Sequence, residues 1–237
     1  MSDLKKVVII ADHRLPVTVL KNLGKRGEVL RFDGSGLAYG AISSHPDIFL
    51  TPLDNLIIAA PNTPEKVLTA FDSYGVAFER GEFPVGVKYP ATVGYNVVFS
   101  GNCLIHNFRY TDPAITRRAE DADLIHVDQG YTRCNLIPLK PGTFITSDAG
   151  IERVLKRHEF KVHHFEPEGI LLPGFRHGFL GGCCGIFQNH LFLTGSLKHY
   201  SWGSEFRDIA ADNDFDITEL SEGPLIDAGS IFFIPVY

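Results

Sequence analysis

The sequence predicts an α/β chain: a five-fold pseudosymmetric ring of strand-strand-helix-strand units, closed by pairing of the N- and C-terminal strands. Three observations predict it. Short β-rich runs come in pairs around turn residues. Each pair is followed by a helical stretch and a third β run. The pairs also recur, with first strands beginning at Asp47, Asn96, Asn135 and Gly185, at spacings of 49, 39 and 50 residues. One further step reaches Ser230-Ile-Phe-Phe-Ile at the C-terminus. A period of roughly forty-seven residues lies in the range of ring-forming repeats.

The N-terminal part supplies a strand at Val7-Val-Ile-Ile, a helix over Val17–Lys25 and a strand at Glu28-Val-Leu-Arg. These complete the unit whose first strand is the C-terminal run. In the next unit, Asp47-Ile-Phe-Leu-Thr turns at Pro52-Leu-Asp-Asn55 into Leu56-Ile-Ile-Ala-Ala. Turn residues between β-formers are hairpin signals. A helix over Pro64–Phe71 follows, with Pro and Glu in its first turn, then Gly75-Val-Ala-Phe. Asn96-Val-Val-Phe-Ser turns at Gly101-Asn102 into Cys103-Leu-Ile-His, followed by a helix capped by Asp112 and a strand from Asp123. Asn135-Leu-Ile-Pro-Leu turns at Lys140-Pro-Gly142 into Thr143-Phe-Ile-Thr, with a helix over Asp148–Leu155 and a strand from Lys161. Gly185-Ile-Phe-Gln turns at Asn189-His190 into Leu191-Phe-Leu-Thr, with a helix over Ser204–Ala211 and a strand from Phe215. Such units cannot bury their apolar faces alone, and a closed ring leaves no unpaired neighbour. With no low-complexity linker, residues 1–237 read as one domain.

Composition narrows the class. The 237 residues carry a formal charge of −6 and 44% hydrophobic residues, too apolar for a disordered chain. The negative charge argues against a general nucleic-acid or membrane-surface partner. Apolar runs such as Val7–Ile10 are too short to span a bilayer. Met1 to Lys6 show no secretory leader, and four cysteines do not make a disulfide scaffold. The expectation is a cytoplasmic protein. No Cys-x-x-Cys, His-Glu-x-x-His, dinucleotide fingerprint or P-loop is present, so neither a metal nor another cofactor is expected.

Equivalent positions of a ring converge on its axis. The strand starts carry Asp47, Asn96, Asn135, Gly185 and Ser230, preceded by Pro46, Tyr95, Cys134, Cys184 and Gly229. These polar and small residues predict a polar funnel for a ligand. Cys184 lies among Gly181, Gly182 and Gly185, which allow close backbone approach. It can be a nucleophile, or a buried small hydrophobe. Ser44-His-Pro-Asp47 offers Asp47 to a cationic head group and His45 on the same strand face as an acid/base, or else a turn cap and an exposed ring. Asp128, Arg133, Asn135 and Asp148 form a second cluster, where Arg133 can clamp a carboxylate and Asp148 more simply caps a helix. His177, just before the glycine run, can also reach the funnel.

The ring of five such units resembles the pentein fold, the α/β propeller, and several segments resemble its guanidino-group-modifying members. Asp47-Ile-Phe-Leu resembles the segment whose acid holds the guanidinium, Asn96-Val-Val-Phe-Ser-Gly resembles a Gly-Gly-Asp-Val segment, and Gly181-Gly-Cys-Cys-Gly-Ile-Phe187 resembles the hairpin of the nucleophilic Cys. These members include dimethylarginine dimethylaminohydrolase, arginine deiminase and amidinotransferases. The resemblance implies a Cys-dependent hydrolase or amidinotransferase-like enzyme acting on C–N bonds of a small arginine-like substrate. Cys184 would attack the guanidinium carbon, Asp47 would hold its nitrogens and His45, or His177, would shuttle the proton. Asn96, Asp128, Arg133, Asn135, Asp148 and His177 would bind the ligand. Two departures matter: the second acidic position is Asn96, and no His occurs in Asp128-Gln-Gly-Tyr-Thr-Arg-Cys134. They keep open a non-catalytic ligand- or protein-binding role on the same fold.

Overall fold

The computed structural model describes residues 6–237. The expected absence of a leader rests largely on residues 1–5, outside the described residues. The fold is a mixed α/β arrangement of five three-stranded sheets. In chain order the elements are β1 (Lys6–Asp12), α1 (Val17–Leu23), β2 (Glu28–Phe32), α2 (Pro46–Phe49), β3 (Leu50–Pro52), β4 (Ile57–Ala59), α3 (Glu65–Tyr74) and β5 (Phe78–Arg80). Next come β6 (Val98–Ser100), β7 (Cys103–His106), α4 (Pro113–Arg118), β8 (Asp123–His126), α5 (Thr132–Asn135), β9 (Leu136–Lys140), β10 (Thr143–Thr146), α6 (Ala149–Arg157) and β11 (Lys161–His164). The chain ends with β12 (Cys184–Phe187), β13 (His190–Leu193), α7 (Gly203–Asp212), β14 (Asp216–Glu219) and β15 (Phe232–Val236).

The pairing pattern is the same in each sheet. The first strand runs antiparallel to the second, as in β3–β4, β6–β7, β9–β10 and β12–β13. The third lies parallel to the second, after a helical crossover, as in β4–β5, β7–β8, β10–β11 and β13–β14. A parallel neighbour requires such a crossover. The fifth sheet is shared by the chain ends: β15 pairs antiparallel with β1, Val8 opposite Ile234, and β2 joins β1 in parallel.

Side-chain caps mark the starts of α4 and α6. Asp112 accepts the Ala114 N–H at 2.9 Å ahead of α4, and Asp148 accepts the Ile151 N–H at 2.8 Å ahead of α6. Each such cap contributes about 1 kcal/mol. Strand interiors are buried, with Ile9, Ile10, Ile58, Leu104, Ile145 and Leu193 fully enclosed. Burial of each such side chain contributes about 1.5–3 kcal/mol.

The strand starts differ from expectation. Asp47 lies in the helical turn α2, Asn135 ends the helical turn α5, and β6 and β15 begin two residues after Asn96 and Ser230. The physical reason is hydrogen bonding. Converging first strands belong to different sheets, so the peptides before them bond locally or to one another. Ile48 N donates to His45 O, Asn96 N to Val93 O, and Asp47 N to Gly229 O. His45 and Asp47 therefore do not share the face of a strand; their relative placement comes from a turn.

Candidate active site

The turns before β3, β6, β9 and β15 deliver one buried cluster. Pro46 starts α2 and puts Asp47 in its first turn. The Asp47 carboxylate is fully buried, and its Oδ2 accepts from Ser230 Oγ at 2.8 Å and from Cys134 Sγ at 3.1 Å. Asn96 Nδ2 donates to the Asp47 carbonyl at 3.1 Å and to Cys134 Sγ at 3.2 Å, and its Oδ1 accepts the Cys134 N–H at 3.2 Å. Asn96 is thus the bracket that fixes Cys134 beside Asp47. Burial pushes the Asp47 pKa up, partly offset by Cys134, Arg133, Ser230 and Asn96. Burial, then the charges of Asp47 and Asp227, push the Cys134 thiol well up.

His45 precedes α2 and is almost fully buried. Burial, assisted by the Arg14 charge, lowers its pKa to about 3, so the ring is neutral. Its Nδ1 lies 3.8 Å from Asp227 Oδ1, too long for a hydrogen bond. Asp227 accepts the N–H groups of Phe179 at 2.8 Å and Gly229 at 3.2 Å. Burial nevertheless raises its pKa to about 7, and the Asp47 charge adds to the rise. Two glycines make this approach possible. Gly229 has φ +66°, and a Cβ there would overlap His45; a Cβ at Gly182 would overlap the Asp227 carboxylate.

Above the cluster opens a cavity of about 250 Å³. Its floor includes His45, Cys134 and Asp227, and its walls include Tyr39, Tyr131, Phe175 and Phe179. Tyr131 is oriented by Thr92 Oγ1 at 2.7 Å and by the Tyr39 hydroxyl at 3.3 Å. Aromatic walls over buried carboxylates suit a cationic head group. The cavity is therefore apolar-walled with a polar floor, not the uniformly polar funnel that the strand starts suggest.

The expected site residues divide sharply. His45 and His177 line this cavity, and Asp47 and Asn96 lie in the cluster beneath it. Cys184 does not line it: its buried Sγ faces the Gly181 carbonyl at 3.5 Å. Burial pushes that thiol up to about 11, against the lowering effect of Arg133. Arg133 faces a different cavity of about 190 Å³ lined by first-strand residues such as Phe99, Pro138, Ile186 and Phe232. Its guanidinium donates to the Leu136 and Gly181 carbonyls at 3.3 and 3.4 Å. It is thus not a clamp over the Cys134 cavity. Asn135 is internal, donating to Tyr131 O at 2.9 Å. Asp128 and Asp148 line a surface groove apart from the cluster, with Asp148 capping α6 and Asp128 exposed. Helix capping accounts for Asp148, and the Asp128 carboxylate lies 3.7 Å from His126.

Cys134, Asp227, Tyr39 and Tyr131 were not singled out by sequence reasoning. Cys134 carries one legible signal: it occupies the same position before its strand as Cys184 does before its own. The glycine run drew attention to Cys184 instead. Among the described residues a single cluster of metal-binding type also emerges, since ligand atoms of His45, Asp47 and Cys134 lie within 4.8 Å of one another. It joins His45 and Asp47 of one turn to Cys134 of another, far away in sequence, so no local motif shows it.

Solved structures share this fold at low identity. The chain superposes on an amidinotransferase of the saxitoxin biosynthetic pathway from Microseira wollei with a TM-score of 0.55 and 13% identity, covering 93% of this chain and 88% of that one. It superposes on a Pseudomonas aeruginosa dimethylarginine dimethylaminohydrolase variant complexed with citrulline at 0.54 and 10% identity, covering 91% of each. The agmatine deiminase of C. jejuni gives 0.55 and 11% identity over 93% and 77%. The chain shares the pentein fold of these structures. Among curated proteins, none matches the sequence. Residues 10–232 match the model described as a family of unknown function, DUF6873, and the chain belongs to that family. Among the described residues no helix is long and apolar enough to cross a membrane.

Proposed function

We propose that the chain is a Cys-dependent enzyme acting on the amidino carbon of a small, arginine-like substrate, with Cys134 rather than Cys184 as nucleophile. One observation carries the reading: the Cys134 sulfur sits 3.1 Å from a buried carboxylate at the floor of an aromatic cavity beside a neutral imidazole. A thiol among carboxylates is a poor nucleophile by itself. A guanidinium changes that balance. Its charge would stabilise Asp47 and Asp227 as carboxylates and the Cys134 sulfur as thiolate. Binding the correct cation would therefore activate the nucleophile.

In this reading Cys134 passes its proton to His45 and its sulfur bonds to the guanidinium carbon. The C–N bond to the leaving amine breaks, and the amine takes the proton from His45. Water then attacks the S-linked amidine carbon, releasing a ureido product and restoring the thiol. An acceptor amine in place of water would make the reaction an amidino transfer. Asp47 and Asp227 hold the substrate nitrogens, and Tyr39, Tyr131, Phe175 and Phe179 exclude water. The five sheets fit a single-domain, five-fold pseudosymmetric propeller over residues 1–237, closed through β15 and β1. A cytoplasmic setting would keep the thiols reduced.

The test compares a cationic haloacetamidine with a neutral haloacetamide, each followed by peptide mapping. Faster amidine labelling of Cys134, slowed by arginine or agmatine, is expected, together with ureido product from a guanidino panel that Cys134→Ser abolishes. Labelling without preference or protection would sink the reading. Protection by a guanidino compound without turnover in the unmodified protein would instead favour a non-catalytic binding role.

A further inference from the structure

We propose that the cavity floor binds one thiophilic divalent cation, Zn²⁺ above others, through Cys134 Sγ, a ring nitrogen of His45 and the free oxygen of Asp47. The proposal stands independently of the amidine chemistry. Three observations carry it.

The first is placement. The ligand atoms, one from each residue and for Asp47 one of its two carboxylate oxygens, come from two turns of different units, and the three lie within 4.8 Å of one another in the interior. Zinc at about 2.0–2.3 Å from each ligand needs tetrahedral ligand atoms about 3.3–3.8 Å apart. The cluster is therefore within roughly an ångström of binding geometry, a shift that side-chain rotation supplies.

The second is unmet valence. Asp47 Oδ1 and His45 Nδ1 are buried without a hydrogen-bond partner. A buried polar atom left unpartnered gives up its hydration with nothing in return, so a dry protein rarely tolerates two in one cluster. A cation meets the carboxylate oxygen directly. It also meets the imidazole: one ring nitrogen ligates, while the other can close the 3.8 Å gap to Asp227 Oδ1. A carboxylate behind a ligating His is the usual outer partner of a zinc site.

The third is chemistry and support. One sulfur, one nitrogen and one oxygen form a donor set for zinc, whereas Mg²⁺ and Ca²⁺ prefer oxygen alone. Thiolate and carboxylate together neutralise the ion. The outer partners are already placed, with Asn96 Nδ2 on Cys134 Sγ and Ser230 Oγ on the other Asp47 oxygen. Cys134 and His45 both border the cavity, so the fourth position would open to water or a small ligand. The ion and an alkylating agent would compete for the same sulfur.

The experiment uses full-length protein stripped by chelator and kept reduced. Co²⁺ is added as a spectroscopic probe, and Zn²⁺ is titrated against a chromophoric chelator. Expected are one Zn²⁺ per chain and a thiolate-to-Co²⁺ charge-transfer band. Cys134→Ser should remove the band, while Cys184→Ser and Cys103→Ser should keep it. His45→Gln and Asp47→Asn should each weaken binding at least about tenfold. If Cys134→Ser fails to fold, labelling of the unmodified protein with a neutral haloacetamide decides, because Zn²⁺ should shield Cys134 alone. No thiolate band, a band surviving in folded Cys134→Ser, or no shielding of Cys134 overturns the proposal. Amidine labelling measured in chelator reads the enzymatic hypothesis separately, so either can fail alone.

Discussion

Ser230 Oγ donates to Asp47 Oδ2 at 2.8 Å, joining the turn before the last strand to the helical turn before β3 across 183 residues. The same hydroxyl lies 3.2 Å from the Gly181 carbonyl. Ser230 holds a left-handed backbone, φ +68°, to reach this place. That conformation costs energy in any residue with a Cβ, and the hydrogen bond to a buried carboxylate offsets it.

Replacing Ser230 therefore separates two effects. Ser230→Ala keeps the strained backbone and removes a partner of Asp47, and should cost about 1–3 kcal/mol in chemical denaturation. Ser230→Gly also loses the hydroxyl but relaxes the backbone, and should be milder by about 1 kcal/mol. Equal losses would show that the left-handed conformation carries no strain.

Asp47 holds the Cys134 thiol in its protonated form. Its charge is the second cause, after burial, of the raised thiol pKa. Asp47→Asn should bring that pKa down and speed labelling by a neutral haloacetamide roughly 3–10-fold at fixed pH. The same variant should lose preference for a cationic amidine, because its attractive carboxylate is gone. Rates by mass spectrometry at pH 8 read both effects; an unchanged neutral rate would mean burial alone governs the thiol.

The strand pattern was legible because hairpins need apolar β-formers around turn residues, and this chain supplies them in the four sheets between the shared one's two halves. The pairing of β15 with β1 followed from counting one more step past Gly185. The strand starts were less legible. Whether Asp47 opens a strand or a helical turn depends on which chain accepts its N–H, and that acceptor is Gly229, far away in sequence. For the site, Asp47 and His45 stood out because a carboxylate and an imidazole flank a proline. Cys134 did not, because Arg133-Cys-Asn135 has no glycine and its sulfur becomes significant only beside Asp47. Asp128 and Asp148 lie apart from the Cys134 cluster, and a polar cluster near a turn is equally what exposed loops and helix caps require.

His45 and Asp227 form a pair whose pH effects cancel. His45 falls from its ordinary 6.5 to about 3, so its share of stability is full above 6.5 and is lost as pH falls toward 3. Asp227 rises from 3.8 to about 7, so its share is full below 3.8 and is lost as pH rises toward 7. Between about 4 and 6.5 the folded and unfolded pairs each hold close to one proton, and their joint slope is near zero. Asp227→Asn leaves the His45 effect alone: relative to the unmodified protein, stability should gain up to about 1.4 kcal/mol per pH unit as pH rises through that window. His45→Gln should tilt the other way. Urea midpoints from pH 4 to 7, taken with chelator present, test this; parallel profiles for all three proteins would refute the pairing.

Gly182 and Asp227 supply the last prediction. The Gly182 carbonyl accepts from Ala228 N at 3.1 Å and Ser230 N at 3.0 Å, so it anchors the segment that carries the Asp227 carboxylate. A methyl at position 182 would overlap that carboxylate, while the carbonyl bonds prevent the backbone from backing away. Gly182→Ala should therefore cost about 2–4 kcal/mol, the range of an overpacked core with a displaced buried polar group. Asp227→Ala alone should also destabilise, because it strands the N–H groups of Phe179 and Gly229. The two losses should not add. Once the carboxylate is removed, the methyl has room, and the double variant should recover about 1 kcal/mol or more relative to the sum. Strict additivity in the double-mutant cycle would place the clash elsewhere on the turn. Recovery would show that glycine is required at 182 by the carboxylate itself, and that the cavity floor and the turn beneath it fold as one packed unit.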